Sequence, residues 1–267
     1  MLKESLYLIQ HSKLDKKNIL LHSLLNWHYC NNVRSFFPFQ KEELSFSKIE
    51  KKDNPSENLN VIENTVNNNQ IKKVIINANN LDSLKCELES FDGCALKKTA
   101  TNLVFADGNS KAKVMVVGEA PGEEEDKIGK PFKGQAGKLL DKMLNSIGQN
   151  RENTYITNLI FWRPPGNRNP TLEEINICLP YVLKHIEIIN PKILILAGAI
   201  ATKAILNENN KGIIQLRGKW QNLSLSKSIN IKTMPIFHPA FLLRQPSRKR
   251  EAWEDLKKIK LEIDLIT

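Results

Sequence analysis

Four short apolar runs alternate with stretches whose apolar positions repeat at helical spacing. The runs are residues 113–118 (KVMVVG), 155–157, 192–197 (KILILA) and 233–238 (TMPIFH), and each ends at or beside Gly118, Asn158, Gly198 or Pro239. Nearly continuous apolar runs of this length read as strands buried on both faces. Residues 138–147 set Leu139, Leu140, Met143, Leu144 and Ile147 on one helical face. Residues 171–189 open with a Thr171 N-cap and Glu174 three positions on, a capping box. Strands alternating with helices predict parallel pairing and helices on both faces of the sheet, an α/β fold built as a three-layer α/β/α sandwich. In such sheets ligands bind outside the carboxyl ends of the strands. The unusual residues stand at those ends: 118–122 (GEAPG), Thr157-Asn158 and His238-Pro239.

Upstream the pattern is lost. Ten of the 28 residues in 53–80 are asparagine, and such a stretch buries too little apolar surface to offset its ordering entropy. It is expected to be a flexible linker between an N-terminal helical extension (1–52) and the main domain (81–267). Within the extension, Ile19, Leu20, Leu24, Leu25 and Trp27 suit a short helix that either docks on the main domain or meets a partner.

The whole chain has 267 residues, enough for one sizeable domain and an appendage. No run of about 18 apolar residues exists, so no membrane span is expected. No secretory signal is evident, so the four cysteines (Cys30, Cys86, Cys94, Cys178) are expected as thiols or metal ligands in a cytoplasmic protein. The formal charge of +10 and pI near 9.3 favour a polyanionic partner, nucleic acid first. Abundant Lys, Asn and Ile throughout the chain dilute that signal.

The strand ends suggest chemistry. Asn158 offers a donor and an acceptor in one plane, enough to read a flat imide edge such as uracil N3–H and O4 and to reject cytosine, which reverses the pattern; it also suits closing a turn. His238, held extended by Pro239, can donate to an oxyanion on a departing base or cap a helix. Phe132, in GKPFKG (129–134), can stack on a flat ring or anchor a loop in the core. The acidic run 123–126 suits a helix N-terminus, and four consecutive acids cannot all converge on one metal ion. Residues 238–260 hold seven Lys/Arg and three acids, placed where a phosphate backbone needs contacts. Leu242 and Leu243 among them either wedge into a base stack or pack inward.

Together these residues resemble the family 4 uracil-DNA glycosylases of the uracil-DNA glycosylase superfamily. The resemblance rests on four ordered motifs: GEAPGEEED (118–126), GKPFKGQAGKLLDKML (129–144), YITNLIFWRPPGNRNPT (155–171) and HPAFLLRQPSRKREAW (238–253). It implies a central four-stranded parallel sheet between helices. It implies a monofunctional repair enzyme that flips uracil from DNA and hydrolyses its N-glycosidic bond, leaving an abasic site. Glu119 and His238 are then catalytic. Gly118, Ala120, Phe132 and Asn158 bind uracil, and Glu125 excludes the thymine methyl. Leu242 fills the gap left by the flipped nucleotide. Arg163, Arg168, Arg244, Arg248, Lys249 and Arg250 are the expected DNA contacts.

The chain departs from the family at its iron–sulfur site. The resemblance implies a [4Fe-4S] cluster on four cysteines, of which Cys94 and Cys178 match while Phe91 and Trp162 occupy the other two positions. Cys86 is eight residues before Cys94 and Cys30 lies across the linker. A cluster needs four ligands at fixed geometry, so no cluster and no other cofactor is expected unless Cys30 and Cys86 move in. A covalent uracil trap in a related branch uses a histidine after the Asn strand; residues 162–168 contain none, which favours turnover. The competing readings are a non-catalytic uracil- or DNA-binding relative and an enzyme using the 118–122 loop for phosphate, although that loop lacks a P-loop lysine. The expected partners are uracil-containing DNA and, through the extension, a repair or replication protein. A monomer in the cytosol is expected.

Overall fold

The four apolar runs become the inner strands of one sheet. The computed structural model describes residues 76–226 and 228–266; the expected helix in 1–52, most of the 53–80 linker and Cys30 lie outside the described residues. Strands β2 (Val114–Gly118), β3 (Thr154–Asn158), β4 (Ile193–Ala197) and β6 (Asn230–Ile236) run parallel in the order β3-β2-β4-β6. Two short strands, β1 (Asp107–Gly108) and β5 (Gln221–Ser224), pair antiparallel at the two edges and complete a six-stranded sheet. The expected four-stranded parallel sheet is therefore its centre. The edge strands left no pattern to read, because β1 is two residues long and β5 buries only Leu223. Short polar edges also protect a sheet against pairing with another chain.

Alternation along the strands makes the three layers. Val114, Val116, Ile193, Ile195, Met234 and Ile236 face one core. It is closed by α3 (Gln135–Asn145) through Leu139, Leu140 and Met143, and by α8 (Lys249–Ile266) through Trp253, Leu256 and Ile259. Met115, Val117, Leu194 and Leu196 face the other core, which α1 (Leu81–Ser90), α4 (Leu172–Ile189) and α5 (Ala199–Leu206) cover. Helix α4 starts as its sequence requires: Thr171 Oγ1 accepts from Glu174 N at 3.2 Å, and Glu174 returns the bond by accepting from Thr171 N at 2.8 Å. Helix α1 is capped by Asn80, whose Oδ1 accepts from Ser83 N at 2.8 Å, and Ala78 just before it is buried.

Register carries the strand ends to one edge. Gly118 pairs with Asn158 and Ala197 with Ile236. The residues that follow, Glu119, Gly198 and His238, therefore emerge side by side. No helix among the described residues is long and apolar enough to cross a membrane.

Candidate active site

Gly118 is the floor on which two of the expected site residues meet. A Cβ there would lie 2.4 Å from Asn158 Oδ1 and 2.4 Å from the Phe132 ring, so only glycine fits. Asn158 and Phe132 are both buried. The Phe132 ring stacks near the His238 imidazole, with centroids 5.7 Å apart and planes at 27°.

Phe132 holds a left-handed backbone, φ +54°, which costs a bulky residue on the order of 1–3 kcal/mol and persists only where the surroundings impose it. They do so from three sides. Arg151 donates to the carbonyls of Pro131 and Phe132 and pairs with Asp107 and Asp141. Glu125, in α2 (Glu123–Ile128), accepts from the backbone N–H of Lys133 and Gly134 at 2.7 Å each and from Gly122 at 3.1 Å. Gly137 lets α3 close on the loop, since a Cβ there would lie 1.8 Å from Phe132 O. Burial raises the Asp107 carboxyl, but Lys133, Arg151 and Lys130 outweigh it and bring it down to about 2. Sequence reading missed Arg151 and Asp107, which carry no local signal.

His238 precedes α7 (Pro239–Arg244). Its Nδ1 accepts the Ala240 N–H at 3.1 Å. Burial, aided by the Arg244 charge and opposed by Glu125, brings its pKa down to about 4. The imidazole is therefore neutral near pH 7, with its proton on Nε2. Glu119 Oε1 accepts the Ile200 N–H at 3.0 Å. Burial lifts its carboxyl above the usual range against the pull of the Ile200 and Ala199 N–H groups and Arg244. Gly198, at φ +106°, gives it room, because a Cβ there would lie 2.3 Å from that oxygen. Glu119, Ala120, Gly198, His238, Phe241 and Arg244 line an open cavity of about 360 Å³. Phe132 and Asn158 are not among its lining residues; Phe132 adjoins it through His238.

Several expected contacts are placed differently. Leu242 is fully buried in the core with α3 and α8. It is Leu243, 43% exposed, that reaches solvent, because successive residues of a helix point about 100° apart and only one of the two can face the core. Lys249 is buried at the start of α8, where burial, then the Lys142 charge, lowers its pKa; it is not the exposed phosphate contact expected of it. Glu125 spends Oε1 on the Phe132 loop and Oε2 on Gly122 at the start of its own helix, and it does not line the cavity. Arg163 pairs with Glu123 at 3.5 Å, Arg168 forks onto Glu174 and Arg248 pairs with Glu251 at 2.6 Å. Arg244 and Arg250 are exposed.

The donor set of the family's cluster is incomplete in a specific way. Cys94 and Cys178 are buried against each other. The hydrogen bond from Cys178 outweighs burial and holds the Cys94 thiol at about 7, while its partner is pushed up. Phe91 packs on Tyr181 at 5.3 Å and the buried Trp162 sits edge-on to Phe161 at 6.2 Å. Cys86 is exposed on α1. Two thiols among aromatic rings do not fit a four-thiolate cluster.

A parallel sheet delivering an amide, an imidazole and a carboxylate to one edge is the architecture of a base-excising hydrolase. The family model described as the uracil DNA glycosylase superfamily matches residues 105–257. The chain is 43% identical over 187 residues to a type-4 uracil-DNA glycosylase of Sulfurisphaera tokodaii, covering 67% of this chain and 83% of the relative. It is 42% identical over 182 residues to one of Archaeoglobus fulgidus (67% and 91%) and 41% identical over 169 residues to one of Thermotoga maritima (62% and 86%). The chain belongs to this superfamily, in its type-4 branch.

Proposed function

We propose that this protein hydrolyses the N-glycosidic bond of uracil in DNA, releasing the free base and leaving an abasic site for repair. The observation that carries the reading is the meeting of Asn158, Phe132 and the neutral His238 beside one cavity. Extruding the base from the duplex costs a few kcal/mol. Stacking on Phe132, phosphate contacts from Arg163, Arg168, Arg244 and Arg250, and Leu243 pressed into the vacated stack offset that cost. The Asn158 amide accepts from uracil N3–H and donates to O4. As the bond breaks, negative charge grows on the base and positive charge on the sugar. The Nε2–H of His238 donates to the forming oxyanion without transferring its proton. Glu119, fixed over the first turn of α5, favours the sugar cation and orients the attacking water.

The reading includes no iron–sulfur cluster. The aromatic side chains at positions 91 and 162 fill by packing the volume that ligands would occupy. It sets the enzyme in the cytoplasm as a monomer, with a repair or replication protein as the partner of the N-terminal extension. Incubation with oligonucleotides holding U·G, U·A or single-stranded uracil is expected to yield free uracil and an alkali-labile site. Release from none of the three overturns the proposal.

A further inference from the structure

Behind His238 lies a buried ion pair that none of the steps above uses. Arg217 follows α6 (Ile213–Leu216), and its side chain is only 13% exposed. Its guanidinium forks onto Asp255 of α8, with Nε at 2.8 Å and Nη2 at 2.5 Å, and Nη2 also donates to the Glu251 carbonyl. Asp255 is 1% exposed. The central guanidinium carbon lies over the Phe237 ring, 5.0 Å from its centroid, and Phe237 is the residue that joins β6 to His238. Phe237 in turn packs on Phe241 of α7 at 4.9 Å, and both rings line the cavity.

The backbone beside the pair is built around it. Gly218 sits at φ +67°, and a Cβ there would lie 2.1 Å from Asp255 Oδ1. Its N–H donates to Pro235 O at 3.0 Å and its carbonyl accepts from Lys258 Nζ at 2.7 Å. Arg217 thus ties α6, α8 and the end of β6 at a single point. A buried ion pair is weak evidence for stability, since apolar residues of similar volume often serve as well. One whose cation also stacks on the residue next to the proposed oxyanion donor has a positional use, because a flat guanidinium fixes a ring in both distance and tilt.

We propose that Arg217 is a positioning residue, which sets the His238 imidazole through the Phe237 ring, with Asp255 as the anchor that holds the guanidinium flat. The proposal rests on the uracil-excision reading above. Lysine keeps the charge and reaches Asp255 but cannot both fork and stack.

The test compares single-turnover excision of uracil, affinity for abasic-site DNA and the ¹⁵N imidazole spectrum of His238 in the full chain and in Arg217→Lys, Phe237→Leu and the double variant. Arg217→Lys is expected to lose about tenfold or more in rate, to keep DNA affinity within about threefold and to shift the His238 resonances. The double variant should be no slower than the slower single one, because both act through one contact. A rate within about twofold of the unaltered chain, or a loss of rate with the His238 spectrum unmoved, overturns the proposal. If Arg217→Lys does not fold, Phe237→Leu alone decides, since it spares the ion pair; an unchanged rate there also overturns it. An unaltered chain that releases no uracil defeats the excision reading instead.

Discussion

The Phe132 ring lies nearly parallel to the His238 imidazole, 5.7 Å from centroid to centroid. One comes from a loop before α3 and the other from the end of β6, more than a hundred positions later in the chain. Their meeting joins base stacking to base departure. His238→Ala is expected to lower single-turnover excision by about 10²–10³-fold, the usual cost of one oxyanion donor. Binding to uracil DNA, measured by anisotropy, should survive. Cleavage at the unaltered rate shows that the donor is elsewhere.

The Phe132 loop is held from outside, so remote changes should reach it. Arg151→Ala removes one of the three cations on Asp107 and the donor to the Phe132 carbonyl. We expect a loss of about 1–3 kcal/mol in chemical denaturation and a lower excision rate. Gly137→Ala should do the same through steric pressure, because its methyl would meet the Phe132 carbonyl. Full activity in both variants shows that the loop needs neither prop.

Leu242 and Leu243 should separate cleanly. Leu242→Ala opens a cavity in the core and is expected to cost about 2–5 kcal/mol of stability. Leu243→Ala should leave stability unchanged. It should slow excision from duplex DNA far more than from single strands, where no stack has to be filled. The opposite pattern returns the wedge to Leu242.

Two buried histidines set the acid limb of stability. Burial brings His185 down to about 3, and burial aided by Arg244 brings His238 down to about 4, from 6.5. Below pH 6.5 each of these histidines binds more protons in the unfolded chain than in the folded one, so its contribution to stability falls as pH falls towards these values, while Asp255, which burial lifts to about 6, acts in the opposite direction. Each histidine contributes a slope of up to about 1.4 kcal/mol per pH unit in that window. Urea titrations between pH 7 and pH 4 should show the loss, and His185→Gln should flatten it. A pH dependence that is the same in His185→Gln as in the unaltered chain contradicts the assignment.

Iron should be dispensable. Protein purified anaerobically is expected to lack iron and the broad 400-nm absorbance of a cluster. Prolonged chelation should leave both melting temperature and excision rate unchanged. Stoichiometric iron with loss of activity on chelation would falsify this, and would point to Cys30 and Cys86 as replacement ligands.

Local chemistry by itself determined the four inner strands, the capped helix α4 and the glycine, asparagine and histidine at the strand ends. Each depends on a run or spacing within a few residues, and parallel pairing then leaves those ends one edge to share. Tertiary structure alone decided which leucine of α7 reaches solvent, that Lys249 is buried, and that Glu125 serves a loop. It also decided that Arg151 and Arg217 brace the site from behind. These outcomes depend on which partner comes across from a distant element, as when Arg217 meets Asp255 on α8, and no spacing within a segment encodes the identity of that partner.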